Sequence, residues 1–341
     1  MSLTLHAATV ALPPARDTLA QALAEGRLHG RTPDVEPGTR LPVAAGGPVD
    51  LAAEAVRDLL ARTGFPAGEI DDLYYAWTYF QGAHFWSPAH ALADRAGLPS
   101  SNPIGVQQMC NGAGAALHLA NRAAAAGGRF AALIATGDAF HGPGFDRWAG
   151  DYGVLYGDAG TALLAVSTGH PTPVAGPVST LLALRSGALP HLESMHRPVD
   201  GPSVAGPLDG WPVDVQRTKK RYLQEHGSHS LAAAMQGMLR KLLAEVSADL
   251  SASGRTPTGD VYLPRLMDAT LDAIYVPAIA ELTDRPPLRH GRATGHLGAG
   301  DLIANLAEAQ RNPGPAPRVD LLVSAGAGFT ISVAAVETGP A

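Results

Sequence analysis

Apolar and polar residues alternate along this chain in two rhythms. From Val49 to Thr63, apolar side chains return every three or four residues behind Asp50, which reads as a capping residue, until Gly64 and Pro66 end the run. That spacing predicts an amphipathic helix. Similar spacing predicts helices over 87–96, from the Cys110 region to about Arg122, and over 230–246, 268–282 and 301–310. Between them lie shorter apolar runs over 72–78, 130–136, 259–264 and 319–324, one after the glycine turn that starts at Tyr156, and one at the N-terminus. These read as strands.

Helix–strand–helix–helix–strand therefore occurs twice in the same order. This predicts a duplicated α/β unit, repeated in pattern and not in letters. From about 168 to 215 the rhythm fades, broken by Pro171, Pro173, Pro177, Pro190, Pro198, Pro202, Pro207 and Pro212. The expected organisation is an N-terminal half over 1–170, a connecting and capping segment over 171–215, and a C-terminal half over 216–341.

Composition narrows the class. The 341 residues are 46% hydrophobic and only 16% charged, with a mean hydropathy of +0.03. This describes a well-buried globule, long enough for one large core or two fused halves. A net charge of −6 gives no general attraction to nucleic acid or acidic membranes. No apolar run reaches the roughly 18 residues of a membrane span, and the N-terminus lacks the basic segment of a signal peptide. One cysteine allows no internal disulfide, and no cysteine–histidine spacing suits a structural metal. A cytoplasmic protein is expected.

That cysteine, Cys110, stands where a β-like stretch gives way to a helix, within Met109-Cys110-Asn111-Gly112-Ala113-Gly114. Unpaired N–H groups at a helix N-terminus stabilise a thiolate. The small residues beside the sulfur leave room for an acyl group. An inert buried cysteine is the alternative; the junction and its small neighbours favour the nucleophile.

A second cluster occupies Gly295-His296-Leu297-Gly298-Ala299-Gly300-Asp301. Glycines let backbone and imidazole crowd together. A carboxylate at the start of the next helix can orient the ring and stabilise its cation, the logic of acyl transfer through a cysteine. A loop histidine near a capping aspartate is the plainer alternative. A third element, Ser324-Ala325-Gly326-Ala327-Gly328-Phe329, follows a strand and could turn backbone N–H groups toward an oxyanion.

Three motifs appear in order: Met109 to Ala116, Tyr156-Gly157-Asp158-Ala159-Gly160-Thr161, and the His296 turn followed by the Gly326–Phe329 segment. Together, over nearly the whole chain, they resemble the ketoacyl synthase III-like branch of the thiolase superfamily. The resemblance implies an α/β thiolase fold, a duplicated five-layer α-β-α-β-α arrangement, and a homodimer. It implies acylation of Cys110 by a phosphopantetheine thioester, on an acyl carrier protein or coenzyme A, with no permanently bound cofactor and no metal. Condensing members carry a catalytic histidine in a Pro-His-Gln-Ala-Asn pattern, where this chain has Pro264-Arg265-Leu266-Met267-Asp268. Where they place an asparagine after glycine, this chain has His296. The pair of neutral donors that stabilises an enolate is missing.

What remains resembles the acyltransferase subgroup that serves antibiotic pathways, some of whose members move aryl or malonyl groups onto sugars or aminocyclitols. In that reading Cys110 carries the acyl group, His296 is the base, Asp301 orients it, and the N–H groups of Cys110 and Ala327 bind the oxyanion. Trp77, Phe80, Phe85 and Trp86, clustered with Tyr79, are expected at the acyl pocket, with ordinary core aromatics as the plainer alternative; His196, Arg265 and Asp268 are expected to face substrate, a surface loop being the alternative for His196. Arg217, Lys219, Lys220 and Arg221 are expected to receive the carrier protein, although a solvated helix face explains that basic run equally. His141, His226, His229 and His290 receive no role. The rivals are a decarboxylating starter condensation at the same cysteine and a silent subunit that gates starter-unit choice.

Overall fold

The computed structural model describes residues 3–28, 35–36, 38–141, 144–198, 201 and 213–339. Nine strands form one sheet: β1 (Leu3–Ala11), β2 (Asp72–Ala76), β3 (Asn102–Val106), β4 (Ala131–Asp138), β5 (Ala159–Ser167), β6 (Val178–Ala188), β7 (Val261–Tyr262), β8 (Arg318–Gly326) and β9 (Thr330–Thr338). Their order across the sheet is β3-β2-β4-β5-β1-β6-β9-β8-β7. In each half a parallel pair leads through two antiparallel pairings to the strand at the centre, β1 or β6. Thr4, Leu5 and His6 of β1 pair antiparallel with Thr180, Ser179 and Val178 of β6. The two halves of the sheet meet there.

Side chains alternate across these strands with the period of two that extended backbone imposes. Tyr74, Ala76, Ala132, Ile134, Leu322 and Ala334 face a shared central core. That core is filled by two helices, α3 (Gly112–Ala125) and α7 (Asp301–Arg311), through Ala113, Ala116, Leu117, Ala120, Leu302, Ile303 and Leu306. Leu73, Tyr75, Leu133 and Ala135 point the other way, onto α1 (Pro48–Thr63) and α2 (Pro88–Ala96). Leu321, Val323, Val333 and Ala335 point likewise onto α5 (Ser228–Ala252), beside α4 (Val215–His226) and α6 (Asp268–Ile274). Helix, sheet, helix, sheet and helix thus stack in five layers, with α3 and α7 innermost.

The first strand and the helices over 49–63, 87–96, 230–246 and 301–310 lie close to where the pattern placed them. The helix expected over 268–282 is shorter: it gives way to a second segment, Val276–Ile279, because Pro277 lacks the N–H that would continue it. Gly47, not Asp50, caps α1, and Asp50 Oδ2 accepts the Gly47 N–H at 3.3 Å from the first turn. The larger correction concerns the segment 171–215. It contains β6, a central strand of the sheet, as well as the turn Pro190–Met195. Prolines flank β6 without entering it, so the breakers mark its two ends. Part of that segment, 199–200 and 202–212 with Pro202, Pro207 and Pro212, lies outside the described residues. Among the described residues no helix is long and apolar enough to cross a membrane.

Candidate active site

Cys110 sits in a single 3-10 turn, Met109–Asn111, from which α3 springs. Met109 adopts a left-handed conformation, φ 49°, which a side chain tolerates only where its surroundings enforce it. The enforcement is local. Asn111 Nδ2 donates to Gln108 Oε1 at 2.8 Å and to Ser332 Oγ at 3.0 Å, tying the turn to β9. A Cβ on Gly112 would lie 2.8 Å from Ala76 and 3.1 Å from Ala299, so only glycine lets the turn seat against both. The sulfur-bearing residue is buried but reaches a cavity of about 350 Å3.

The second turn, Gly298–Gly300, precedes α7 in the same way and is held from the other half. Asp138, at the end of β4, accepts the Ala299 N–H at 2.9 Å and the Thr78 and Tyr79 N–H groups at 2.8 and 2.9 Å. Burial pushes the Asp138 carboxyl up to about 7, against those three N–H donors. Gly298 has φ 59°, and a Cβ there would come within 2.2 Å of Asp138 Oδ2.

His296 is fixed by backbone on both sides: its N–H donates to Leu155 O at 2.7 Å, and its carbonyl accepts the Gly157 N–H at 2.9 Å. A side chain at Gly157 would collide with the Thr294 carbonyl. The Tyr156–Thr161 motif therefore serves to clamp this histidine. Asp158 within it forms a buried ion pair with Arg147 at 3.0 Å and accepts the Ala44 and Phe140 N–H groups at 2.8 Å. Tyr156 sets its ring edge against the imidazole, with centroids 5.5 Å apart.

The two turns bring their side chains together. Asp301 Oδ2 lies 2.5 Å from His296 Nδ1, and the carboxylate also accepts the N–H groups of Leu297 at 2.8 Å and Arg265 at 2.7 Å. Burial works against the imidazolium, but the Asp301 charge, Cys110 and the hydrogen bonds to both outweigh it and hold His296 well above its ordinary value. Burial likewise opposes the Asp301 carboxylate, yet His296, Arg265 and the Leu297 N–H bring it below the usual range. Cys110 and His296 line one cavity, together with Gly326 and Ala327 of the turn between β8 and β9. A Cβ on Gly326 would lie 2.9 Å from the Cys110 nitrogen, which shows how closely that turn approaches the nucleophile's backbone.

Other expected residues lie elsewhere. Arg265 is buried but turns from the cavity: its guanidinium donates to Asn305 Oδ1 at 3.2 Å and Thr294 Oγ1 at 2.9 Å. Asp268 pairs with Arg289 and Arg292 on an adjoining, more polar cleft. Trp77 stacks on Tyr75 under β3, Phe80 leans on His84, and Phe85 and Trp86 are exposed. None of the four lines the cavity. Beyond Trp77 the chain turns toward the surface, carrying the later rings away; among the described rings of this stretch, Tyr79 connects to the site, through Phe140 and Phe145 to Tyr156. His196 does line the cavity, with its ring 5.5 Å from Phe329.

The basic run divides. Arg217 and Lys220 are exposed, whereas Arg221 donates to the carbonyls of Ser194 and Arg197 at 3.0 and 3.2 Å. Lys219 turns inward onto Asp151 at 2.5 Å and lines the cavity. Sequence reasoning missed Asp138, Tyr156 and Asp151. A buried carboxylate that ties down loops has no periodic signature. Tyr156 was readable only as part of a turn motif.

Solved structures of similar shape agree on architecture. ChlB3, an acyltransferase, is 25% identical over 99% of this chain and 98% of its own, with a TM-score of 0.79. AbyA1, a tetronic acid condensing enzyme, is 20% identical over 98% and 99%, with a TM-score of 0.72. The chain has the ketoacyl synthase III-like thiolase fold. The 3-oxoacyl-(acyl-carrier-protein) synthase III from Aquifex aeolicus VF5 shares this thiolase fold at 17% identity over 98% and 99%, with a TM-score of 0.71. No family model matches the sequence, and no curated protein matches it significantly. The structural neighbours thus include an acyltransferase and a condensing enzyme.

Proposed function

We propose that the protein is an acyltransferase that carries its acyl group on Cys110 and passes it to a hydroxyl or amine of a small natural-product acceptor, without forming a carbon–carbon bond. The observation that carries this reading is the relay Asp301–His296–Cys110 opening onto one cavity, while Arg265 turns its side chain away from it. A condensing site needs a second neutral donor at that position to hold an enolate oxygen. An arginine bound to Asn305 and Thr294 supplies none.

The donor in this reading is an acyl thioester of phosphopantetheine, on an acyl carrier protein or coenzyme A. With its proton on His296, the relay favours a thiolate at Cys110, which attacks the thioester carbonyl. The Cys110 and Ala327 N–H groups receive the oxyanion. As the tetrahedral adduct collapses, the carbon–sulfur bond to the donor breaks and His296 gives its proton to the departing thiolate. The imidazole is then neutral beside an acyl-cysteine. It takes a proton from the acceptor, whose oxygen or nitrogen attacks the acyl carbon, and collapse returns the Cys110 thiolate and the protonated His296. Asp301 stays ionised and holds the ring throughout. Arg217 and Lys220 offer exposed positive charge to an acidic carrier surface, and a homodimer is the expected assembly.

Intact-mass spectrometry after incubation with a panel of acyl thioesters tests the reading. An adduct on Cys110 that an acceptor then discharges, with no carbon dioxide released from a malonyl thioester, supports it. Decarboxylation with carbon–carbon bond formation would replace it with the condensing activity, and complete resistance to acylation with the silent subunit.

A further inference from the structure

The cavity beside Cys110 is apolar along most of its wall, with Met195, Leu231, Met235, Leu266 and Ile274 among its lining residues. Among the described lining residues, and apart from the Cys110–His296 pair itself, Asp151 and Lys219 are the acidic and basic side chains. They face each other at 2.5 Å, with side-chain exposures of only 3% and 14%. Asp151 is further occupied: Oδ2 accepts the Tyr156 hydroxyl at 2.7 Å and Oδ1 the Tyr152 N–H at 2.6 Å. Tyr156 in turn lies against His296, so this pair stands one tyrosine away from the base.

Lys219 also reaches the Tyr152 carbonyl at 3.5 Å. An ammonium has three donors, which leaves one to offer a ligand. His196, on the same wall, has a buried Nδ1 without a hydrogen-bond partner. Burial, reinforced by Lys219, pushes its imidazole down to about 4, so at neutral pH it is an uncharged donor and acceptor. The His196 Nδ1 thus lacks a partner in an otherwise apolar wall, which is costly, and Lys219 beside it has a donor to spare. An all-hydrocarbon occupant satisfies neither.

The charge balance selects the partner further. A cationic acceptor needs a carboxylate in the chamber, and Asp151 is already taken by an ammonium, a phenol and an amide N–H. It would also meet the Lys219 charge at close range, and like charges brought together without solvent are strongly disfavoured. A carboxylate-bearing acceptor would compete with Asp151 for Lys219 and leave one anion unpaired.

We infer that the acyl acceptor is a neutral, hydroxyl-bearing molecule held by Lys219 and His196, so that the product is an ester and not an amide. This rests on the transfer reading above and narrows its acceptor.

The test compares D-glucose with D-glucosamine at about pH 6.5, where an amine of this kind is mostly protonated. In the unacylated enzyme, glucose should slow iodoacetamide alkylation of Cys110 at concentrations where glucosamine does not. In enzyme preloaded by whichever thioester acylates Cys110, glucose should discharge the adduct at least about tenfold faster than glucosamine, given the cost of opposing like charges. Lys219→Met should still load, and should shift the preference toward glucosamine, because Asp151 is then free to pair with the ammonium. His196→Phe should load normally and weaken glucose in both measurements. The inference is overturned if glucosamine protects or discharges as well as glucose in the unmodified enzyme, or if neither sugar does either. Failure of every thioester to load Cys110 would remove the transfer reading, while the alkylation comparison still decides what the chamber binds.

Discussion

The two innermost helices, α3 and α7, occupy equivalent places in the two halves, and their first turns do opposite work. Each springs from a 3-10 turn, Met109–Asn111 or Gly298–Gly300, and the two turns pack against each other at Gly112 and Ala299. Each aims a positive helix end at one spot. The N-terminal half places a sulfur at that end, where an anion is favoured. The C-terminal half places a carboxylate there, Asp301, which keeps a proton on the neighbouring imidazole. A duplicated fold thus yields an asymmetric acid–base pair without a new scaffold, and the asymmetry resides in a handful of side chains.

Substitutions can break that division of labour, beginning with the most severe. Cys110→Ala should abolish the acyl adduct outright; a labelled adduct surviving in that variant would show that the sulfur is not the nucleophile. Asp301→Asn should leave the fold intact and lower turnover by up to about 10⁴-fold, the scale for an orienting aspartate. His296→Ala should still form an adduct but discharge it about 10²–10⁴-fold more slowly. Single-turnover measurements separate the two steps, and an unchanged discharge rate would remove the base assignment.

A smaller effect tests how the C-terminal turn is held. Gly298→Ala meets Asp138 at a left-handed position. It should cost on the order of 1–3 kcal/mol in denaturant unfolding and slow transfer more than acylation. The pair's electrostatics gives a gentler test. Asp301 lies below its unfolded value, so its contribution is present above about pH 4 and is lost as the pH falls through its folded value. His296 lies above its unfolded value, so its contribution is complete below about pH 6.5 and is lost as the pH rises through its folded value. The wild type's margin of stability over Asp301→Asn should therefore peak between those limits and shrink on either side. Least of all, Phe85→Ser should change Cys110 acylation by less than about twofold, as for an exposed residue far from any special feature.

Much of this arrangement was legible because local chemistry announced it. Cys110, His296 and Asp301 stand among glycines at helix starts, and small residues there have little use other than close approach. Most main elements followed from their apolar rhythm. The strand β6 did not, because prolines at 171, 173, 177 and 190 masked its ends and its continuous apolar run, Leu181 to Leu184, is short. Aromaticity misled over 77–86, since whether a ring is core, surface or pocket depends on the path of the chain after β2. Lys219 was read as part of a basic surface, and one turn of α4 rotates it inward onto an aspartate with no sequence signature.

The pairing of β1 with β6 makes the sheet continuous from one half to the other. Backbone pairing crosses from one half to the other, and the two central helices pack between strands of both. The halves therefore cannot part like the lobes of a hinged enzyme. Residues of α4, α5 and α6 line the cavity, so adapting to guests of different size falls to the side chains of those three helices and not to a parting of the halves.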